Sequence, residues 1–257
     1  MAILKIDNIR KAFGGVKALN GCSFNVKEKS ITGLIGPNGS GKTSLFNVIT
    51  GFYQADDGEI YFKDRKITKM SPHEITQEGI VRTFQITRVF SGLTVMENML
   101  YAPKQQLGEK FLRALFQFRA IRQQEQVNRQ KAMDLLDLVG LADLHAEYAA
   151  NLSYGQKKLL ELGRALLTSP ELIMLDEPAA GINPTMIMKL RQVILDLHQA
   201  GKTFLIIEHD MQFVMGICEK VFVLDFGEKI SEGPPHFVQK DANVVKAYLG
   251  TTYDFGN

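Results

Sequence analysis

Long apolar runs are missing from this 257-residue chain. None exceeds four residues, and Phe204-Leu205-Ile206-Ile207 is typical. A membrane-spanning helix needs about 20 mostly apolar residues, so the chain is not expected to cross a bilayer by itself. The opening MAILKIDNIRKAF also lacks the apolar stretch of a secretory signal. Cysteine is scarce: Cys22 and Cys218 make neither a metal-ligand pair nor a disulfide framework. Both sit in apolar patterns and read as reduced core residues of a cytoplasmic protein. A dominant charge is missing too, with 30 basic and 28 acidic residues and a net charge of +2. That is not the broad basic excess of a protein that coats nucleic acid, so no nucleic-acid partner is expected. Repeats, low-complexity stretches and flexible interdomain linkers are absent as well.

What remains is an ordinary globular composition, 45% apolar and 23% charged, which excludes a disordered chain, a collagen and a coiled-coil rod. The length suits one large domain or two modest ones. Charge is unevenly placed. Residues 104–131 hold seven basic side chains against Glu109 and Glu125, a local net of +5, while the remainder nets −3. The plain reading is a solvated helix face; phospholipid headgroups or an acidic partner are the alternatives.

The first sixty residues carry short alternating runs, ILKIDNI (3–9), CSFNV (22–26) and EIYF (59–62), bounded by Gly, Asn and Asp. These predict antiparallel strands. ITGLIG (31–36) is more continuously apolar, as in a strand buried on both faces, and a Gly-rich turn and a helix (43–50) follow it. From Thr94 to about Leu167 the pattern is helical, and AMDLLDLVGL (132–141) has helical spacing ending at Gly140. LIMLD (172–176), TFLIIEH (203–209) and KVFVLD (220–225) then recur as apolar strands around a helix over about 184–200. The tail from Glu228 predicts one strand, KISEG, and one or two short helices. The expected fold is α/β: a core over 1–85 and 169–257 with an antiparallel β part, split by a helical block over 86–168.

Gly36-Pro37-Asn38-Gly39-Ser40-Gly41-Lys42-Thr43 fits G-x-x-x-x-G-K-[ST], with a strand before it and a helix after it. Glycine lets backbone amides turn inward, and these amides plus the positive helix end surround phosphate oxygens. Lys42 would reach the β- and γ-phosphates, and the Thr43 hydroxyl would ligate Mg²⁺. A second carboxylate for that metal is expected at the end of an apolar strand, and LIMLD supplies Asp176. Glu177 follows at once, placed to polarise a water aimed at the γ-phosphate.

Leu152-Ser153-Tyr154-Gly155-Gln156 stands about twenty residues ahead of Asp176-Glu177-Pro178. Ser153 can cap a helix start and leave a positive helix end for anionic oxygens. This run resembles the LSGGQ signature of ABC (ATP-binding cassette) ATPases, departing from it at Tyr154. Other landmarks follow in that family's order. Gln85, in Arg82-Thr83-Phe84-Gln85, resembles the Q-loop glutamine, and His209, in Ile207-Glu208-His209-Asp210, the switch histidine. Phe13 falls where an aromatic commonly stacks on adenine, the alternative being a buried strand-end ring. Ala179-Ala180-Gly181-Ile182-Asn183 occupies the D-loop, with Asn183 in place of the usual Asp.

The resemblance covers residues 4 to about 233 and implies a P-loop NTPase core of the RecA-like kind with an inserted helical subdomain. Within ABC ATPases the pattern is most similar to the ATP-binding subunit of branched-chain amino acid importers, through Arg82–Gln85, Arg88-Val89-Phe90, Leu93–Asn98 and Pro178–Pro184. ATP contacts are implied for Phe13, Asn38, Gly39, Ser40, Gly41, Lys42, Thr43 and Ser44, and from a second cassette for Ser153, Gly155 and Gln156. Mg²⁺ contacts are implied for Thr43, Gln85 and Asp176, and catalytic roles for Glu177, His209 and Gln85. The implied partners are a second ATPase subunit, identical or related, integral-membrane permease subunits and, indirectly, an extracytoplasmic solute-binding protein. The implied location is the cytoplasmic face of the membrane. The competing readings are the ATPase of a lipid or lipopolysaccharide exporter or of a urea importer, a non-transport ABC ATPase, and a cassette that binds ATP without turning it over.

Overall fold

The computed structural model describes residues 1–83, 89–102 and 118–249. They group into two units. The first takes residues up to 83 with 171–180 and 194–249, and the second takes 89–102, 118–170 and 181–193.

In the first unit, β1 (Ala2–Phe13) and β2 (Val16–Lys27) pair antiparallel, and β4 (Asp57–Phe62) lies on the other side of β1. Ile3, Leu4, Ile6 and Ile9 of β1 are buried while Lys5 and Asp7 are exposed, the alternation that puts one sheet face on a core. With the short β5 (Arg65–Lys66) they make a four-stranded sheet ordered β2-β1-β4-β5. A second sheet holds β3 (Ile31–Ile35), β6 (Ile80–Arg82), β7 (Leu172–Asp176), β8 (Thr203–Ile207), β9 (Lys220–Asp225) and β10 (Glu228–Gly233), in the order β10-β9-β3-β8-β7-β6. All but the β10 pairing are parallel. Every residue of β3, β7 and β8 is buried, which is why their sequences run apolar without alternating.

The register of this sheet decides where chemistry can occur. Leu34 pairs with Ile207, and Ile207 with Asp176, so β3, β8 and β7 end level with one another. The segments leaving those carboxyl ends are the glycine loop, the His209 segment and the Glu177 segment. That edge of an open parallel sheet is the usual place for a ligand. Behind it α1 (Lys42–Ile49) buries Leu45, Phe46, Val48 and Ile49 in the core that also holds Ile6, Phe24 and Phe222. Each such side chain contributes about 1.5–3 kcal/mol of burial. Helix α2 (Pro72–Glu78) starts from a Ser71–Glu74 capping box and stops at Gly79, which adopts φ 108°.

In the second unit, α3 (Val95–Leu100) starts from a Thr94–Glu97 capping box. Helix α4 (Phe118–Leu138) ends in a Schellman turn: the Leu141 amide donates to Leu136 O at 2.7 Å and the Gly140 amide to Asp137 O at 2.8 Å. Gly140 takes φ 64° there, as its sequence position suggested. Helix α5 (Tyr154–Leu166) buries Leu159, Leu160, Leu162 and Leu166. Asn98 is fully buried yet satisfied: its Oδ1 accepts from the Phe90 amide at 2.8 Å and its Nδ2 donates to Phe90 O and Thr94 O. Of the basic segment, Arg122, Arg129 and Lys131 are exposed on α4, while Lys104, Lys110 and Arg113 lie outside the described residues.

Helix α6 (Pro184–Gln199) opens within the second unit. The expected division had placed residues 181–193 with the core. They group with the helical block because Gly155 approaches Met186, Gly181 approaches Tyr154, and Lys189 Nζ donates to Gly140 O at 2.9 Å. The first unit closes with α7 (Met211–Ile217), α8 (Pro235–Val238) and α9 (Ala242–Leu249). Cys22 and Cys218 are both buried, and burial pushes each thiol up to about 12, so they stay protonated and inert. Among the described residues no helix is long and apolar enough to cross a membrane.

Candidate nucleotide site

The glycine loop leaves β3 at Gly36 and enters α1 at Lys42. Gly39 and Gly41 take φ 82° and 102°, a region open to glycine at little cost. At Gly36 a Cβ would sit 2.1 Å from the Leu224 carbonyl oxygen, so the loop passes β9 with no space for a side chain. The Lys42 ammonium lies inside this bend. It donates to Gly36 O at 2.8 Å, to Pro37 O at 2.9 Å and to Ser40 Oγ at 3.3 Å. Burial lowers the pKa of that ammonium, opposed by the charges of Glu177 and then Asp176. The N-cap of α1 is Gly41, which has no side chain to bond the first amides, and its first turn holds no acidic residue. Helices α2, α3 and α5 instead carry side-chain capping boxes that engage their N-cap and N3 amides. The open, positive end of α1 is suited to an anion. Asn38, Gly39 and Thr43 are exposed around it, Ser44 is half-buried and Ser40 is buried.

Asp176 ends β7 and is 4% exposed; its Oδ2 accepts from Arg82 Nη2 at 2.7 Å. Successive strand residues point to opposite faces, yet Asp176 and Glu177 both act on Lys42. The strand has ended by then: Glu177 adopts φ 48°, a left-handed conformation that costs a non-glycine residue roughly 1–2 kcal/mol. Its amide is fixed to Ile207 O at 3.0 Å. His209 Nδ1 lies 4.0 Å from Glu177 Oε1 and 4.0 Å from Glu208 Oε2, too far for a hydrogen bond.

Glu208 is fully buried and accepts three backbone amides, from Ala179 at 2.7 Å, His209 at 3.1 Å and Asp210 at 3.4 Å. Burial raises its pKa despite those amides. It ties the chain after Glu177 to the backbone of His209. Its one mark in the sequence is a carboxylate directly after the apolar strand TFLII.

In the second unit, Ser153 caps α5. Its Oγ accepts from the Gln156 amide at 3.3 Å, and Gln156 Oε1 accepts from the Ser153 amide at 2.8 Å. Both ends of that capping box come from the signature run, and Ser153 is exposed. Gly155 is buried for space: a Cβ would meet Met186 atoms at 3.1–3.3 Å. Tyr154 faces Gly181, and Lys158 Nζ lies 5.3 Å from its ring centre. Asn183 caps α6, its Oδ1 accepting from the Met186 amide at 2.9 Å.

Phe13 is 44% exposed, so it is not a buried strand-end ring; it meets Tyr53 edge-on at 5.1 Å. Tyr53, also unremarked in the sequence, extends the apolar surface on which a planar base can stack. A cavity of about 630 Å³ lies between Pro37–Ser40 and helix α9, beside Asn243 and Lys246; Lys42, Asp176 and Glu177 do not line it. Gln85 lies outside the described residues. Glu177 and His209 thus lie side by side in the first unit, with Lys42 inside the glycine loop within range of the Glu177 and Asp176 charges, and Ser153, Gly155 and Gln156 lie in the second. No group of three His, Cys, Asp or Glu able to cage a metal occurs among the described residues. The donors present, a Thr43 hydroxyl and the Asp176 carboxylate beside a phosphate loop, fit Mg²⁺, which keeps waters and binds one or two carboxylates plus substrate phosphates.

A glycine loop feeding an uncapped helix, level with a carboxylate pair at a parallel sheet edge, defines the class: a P-loop nucleotide-binding ATPase. The ABC transporter family model matches residues 19–180, and the chain belongs to that family, whose ATP hydrolysis is coupled to transport. A second model, described as branched-chain amino acid ATP-binding cassette transporter, matches residues 228–254. The chain is 40% identical over 249 residues to the high-affinity branched-chain amino acid transport ATP-binding protein BraF of Pseudomonas aeruginosa, covering 96% of this chain and 98% of that one. An ATP-binding cassette solved in its ADP conformation is 41% identical with a TM-score of 0.84, covering 97% of this chain and 99% of that one. A dimeric cassette in a post-hydrolysis state, bound to ADP and phosphate, is 26% identical with a TM-score of 0.74, covering 90% and 98%.

Proposed function

We propose that this chain is the ATP-hydrolysing subunit of an importer of branched-chain amino acids. The observation that carries the substrate is the match of residues 228–254 to the branched-chain model, added to relatives of nearly equal length that are named for that transport. Lys42, with the amides of Asn38 to Ser44, holds the terminal phosphates, and Phe13 with Tyr53 takes the adenine. Thr43 and Asp176 would hold Mg²⁺, and the resemblance implies Gln85 as a further contact. Mg²⁺ bound there would supply positive charge toward the phosphate oxygens. Glu177 accepts hydrogen-bonding from the attacking water and raises its nucleophilicity, and His209, beside Glu177, contacts the departing phosphate.

Ser153, Gly155 and Gln156 of a second cassette close the far side of the nucleotide. Two chains thereby share two ATP molecules, as the ADP- and phosphate-bound dimer of a related cassette supports. Closing and reopening this pair moves permease subunits from the cytoplasmic face, and a solute-binding protein delivers the solute outside. The test is ATPase activity of the chain reconstituted with its permease and binding protein. Leucine, isoleucine or valine is expected to stimulate hydrolysis. Stimulation by urea or by lipopolysaccharide, with none by these amino acids, overturns the substrate reading.

A further inference from the structure

Arg82 closes β6, and its side chain is 6% exposed. Through Nη2 it donates to Asp176 Oδ2 at 2.7 Å, and through Nη1 to Asn47 Oδ1 at 2.7 Å. Its guanidinium also lies over the Phe46 ring, 5.5 Å from the centre. Asn47 stands on α1 one turn beyond Thr43. A single rigid fork thus spans the helix that ends the phosphate loop, the strand end that carries Asp176, and the edge strand β6. Lysine, a point charge on a flexible stem, cannot hold two acceptors at fixed angles in this way. A buried carboxylate also needs a counter-charge, and Arg82 supplies it.

That counter-charge has a consequence for the metal. A cation bonded to Asp176 competes electrostatically with Mg²⁺ for the same carboxylate. We propose that Arg82 is a positioning residue of the ATPase: it fixes the Asp176 carboxylate through Oδ2 and tempers its attraction for Mg²⁺, exchanging metal affinity for turnover. The inference rests on the assignment of Asp176 to Mg²⁺ and deepens it. A purely structural ion pair would behave differently, because its loss would weaken metal binding and catalysis together.

The test uses the full chain with Arg82→Met, Arg82→Lys and Asp176→Asn, titrated with Mg²⁺ in the presence of a fluorescent ATP analogue. Affinity for the analogue in EDTA reports whether the phosphate loop is intact, and kcat is read separately. Arg82→Met is expected to lower the half-saturating Mg²⁺ concentration at least about threefold through the lost repulsion, while kcat falls and EDTA affinity holds. Arg82→Lys, which keeps the charge but not the fork, is expected to return half-saturation to the wild-type value with kcat still reduced. Half-saturation unchanged or raised in Arg82→Met overturns the inference. If that variant does not fold, wild-type kcat in Arg82→Lys overturns it. Asp176→Asn separates the two readings: unchanged Mg²⁺ dependence there removes the metal assignment itself. A raised requirement there, with Arg82→Met silent, removes the Arg82 inference alone.

Discussion

Replacing Gly36 by alanine isolates how much of the phosphate loop depends on its close passage over β9. The new Cβ would lie 2.1 Å from Leu224 O and 2.7 Å from Ser40 Oγ. Leu224 is main chain of the strand that pairs with β3 through Val223 and Ile35, so the clash cannot be relieved by a side-chain rotation. The loop and the strand end must part by about 1 Å, a form of overpacking that costs about 1–3 kcal/mol. The φ of 150° adds roughly 1–2 kcal/mol for a residue with a Cβ. The total is about 2–5 kcal/mol, or about 5–15 °C in Tm for a chain of this size. Gly39→Ala is the internal control. Its φ of 82° carries the backbone cost, but nothing lies within 4 Å of its Cβ, so only about 2–6 °C is expected. Thermal unfolding of both variants by circular dichroism at one scan rate checks this, with ATP titration alongside. Equal shifts in the two variants would refute the steric reasoning.

Glu177→Gln keeps the shape of the side chain and is expected to retain ATP affinity while turnover falls about 10²–10⁴-fold; normal steady-state hydrolysis would remove Glu177 from the water-polarising role. Glu208 has a folded-state pKa raised above the usual carboxyl value of 4.5. Its contribution is therefore fully present below that value and is lost as pH rises through the folded pKa. Denaturant unfolding is expected to show Glu208→Gln gaining stability relative to wild type as pH rises above 4.5, and a pH-independent difference would contradict the burial argument. Asn183→Ala is expected to lose about 1 kcal/mol by uncapping α6, with Asn183→Asp near wild type; equal losses would show that the cap is not what Asn183 provides.

The phosphate loop was legible because its glycines answer local backbone demands. Gly36, Gly39 and Gly41 take conformations or close approaches that few residues tolerate, so geometry shows directly in residue type. The buried strands β3, β7 and β8 were legible for a similar reason, since burial on both faces leaves continuous apolar runs. Long-range pairing was not. Asn47, Arg82 and Asp176 are bonded together, yet no spacing in the chain joins them. Arg82 was visible only as part of a resemblance, and Glu208 only as a neighbour of His209. The three-residue strand β6 was too short to carry an alternation. Asn183 was read as a missing charge, whereas in the structure it is a helix cap, a role that needs the position of Met186 to be known. Tyr53 escaped notice because its partner Phe13 is forty residues away in the chain and meets it only through the fold.

The most direct measurement is an ATP titration of the wild-type chain and of Lys42→Ala, by calorimetry or a fluorescent analogue. Lys42 lies within the bend, bonded to the loop's own oxygens, where an arriving phosphate meets its charge. Losing one such charge-assisted contact is expected to weaken binding at least about 30-fold. Unchanged affinity in the variant would contradict the account, because phosphate would then be held somewhere other than this loop.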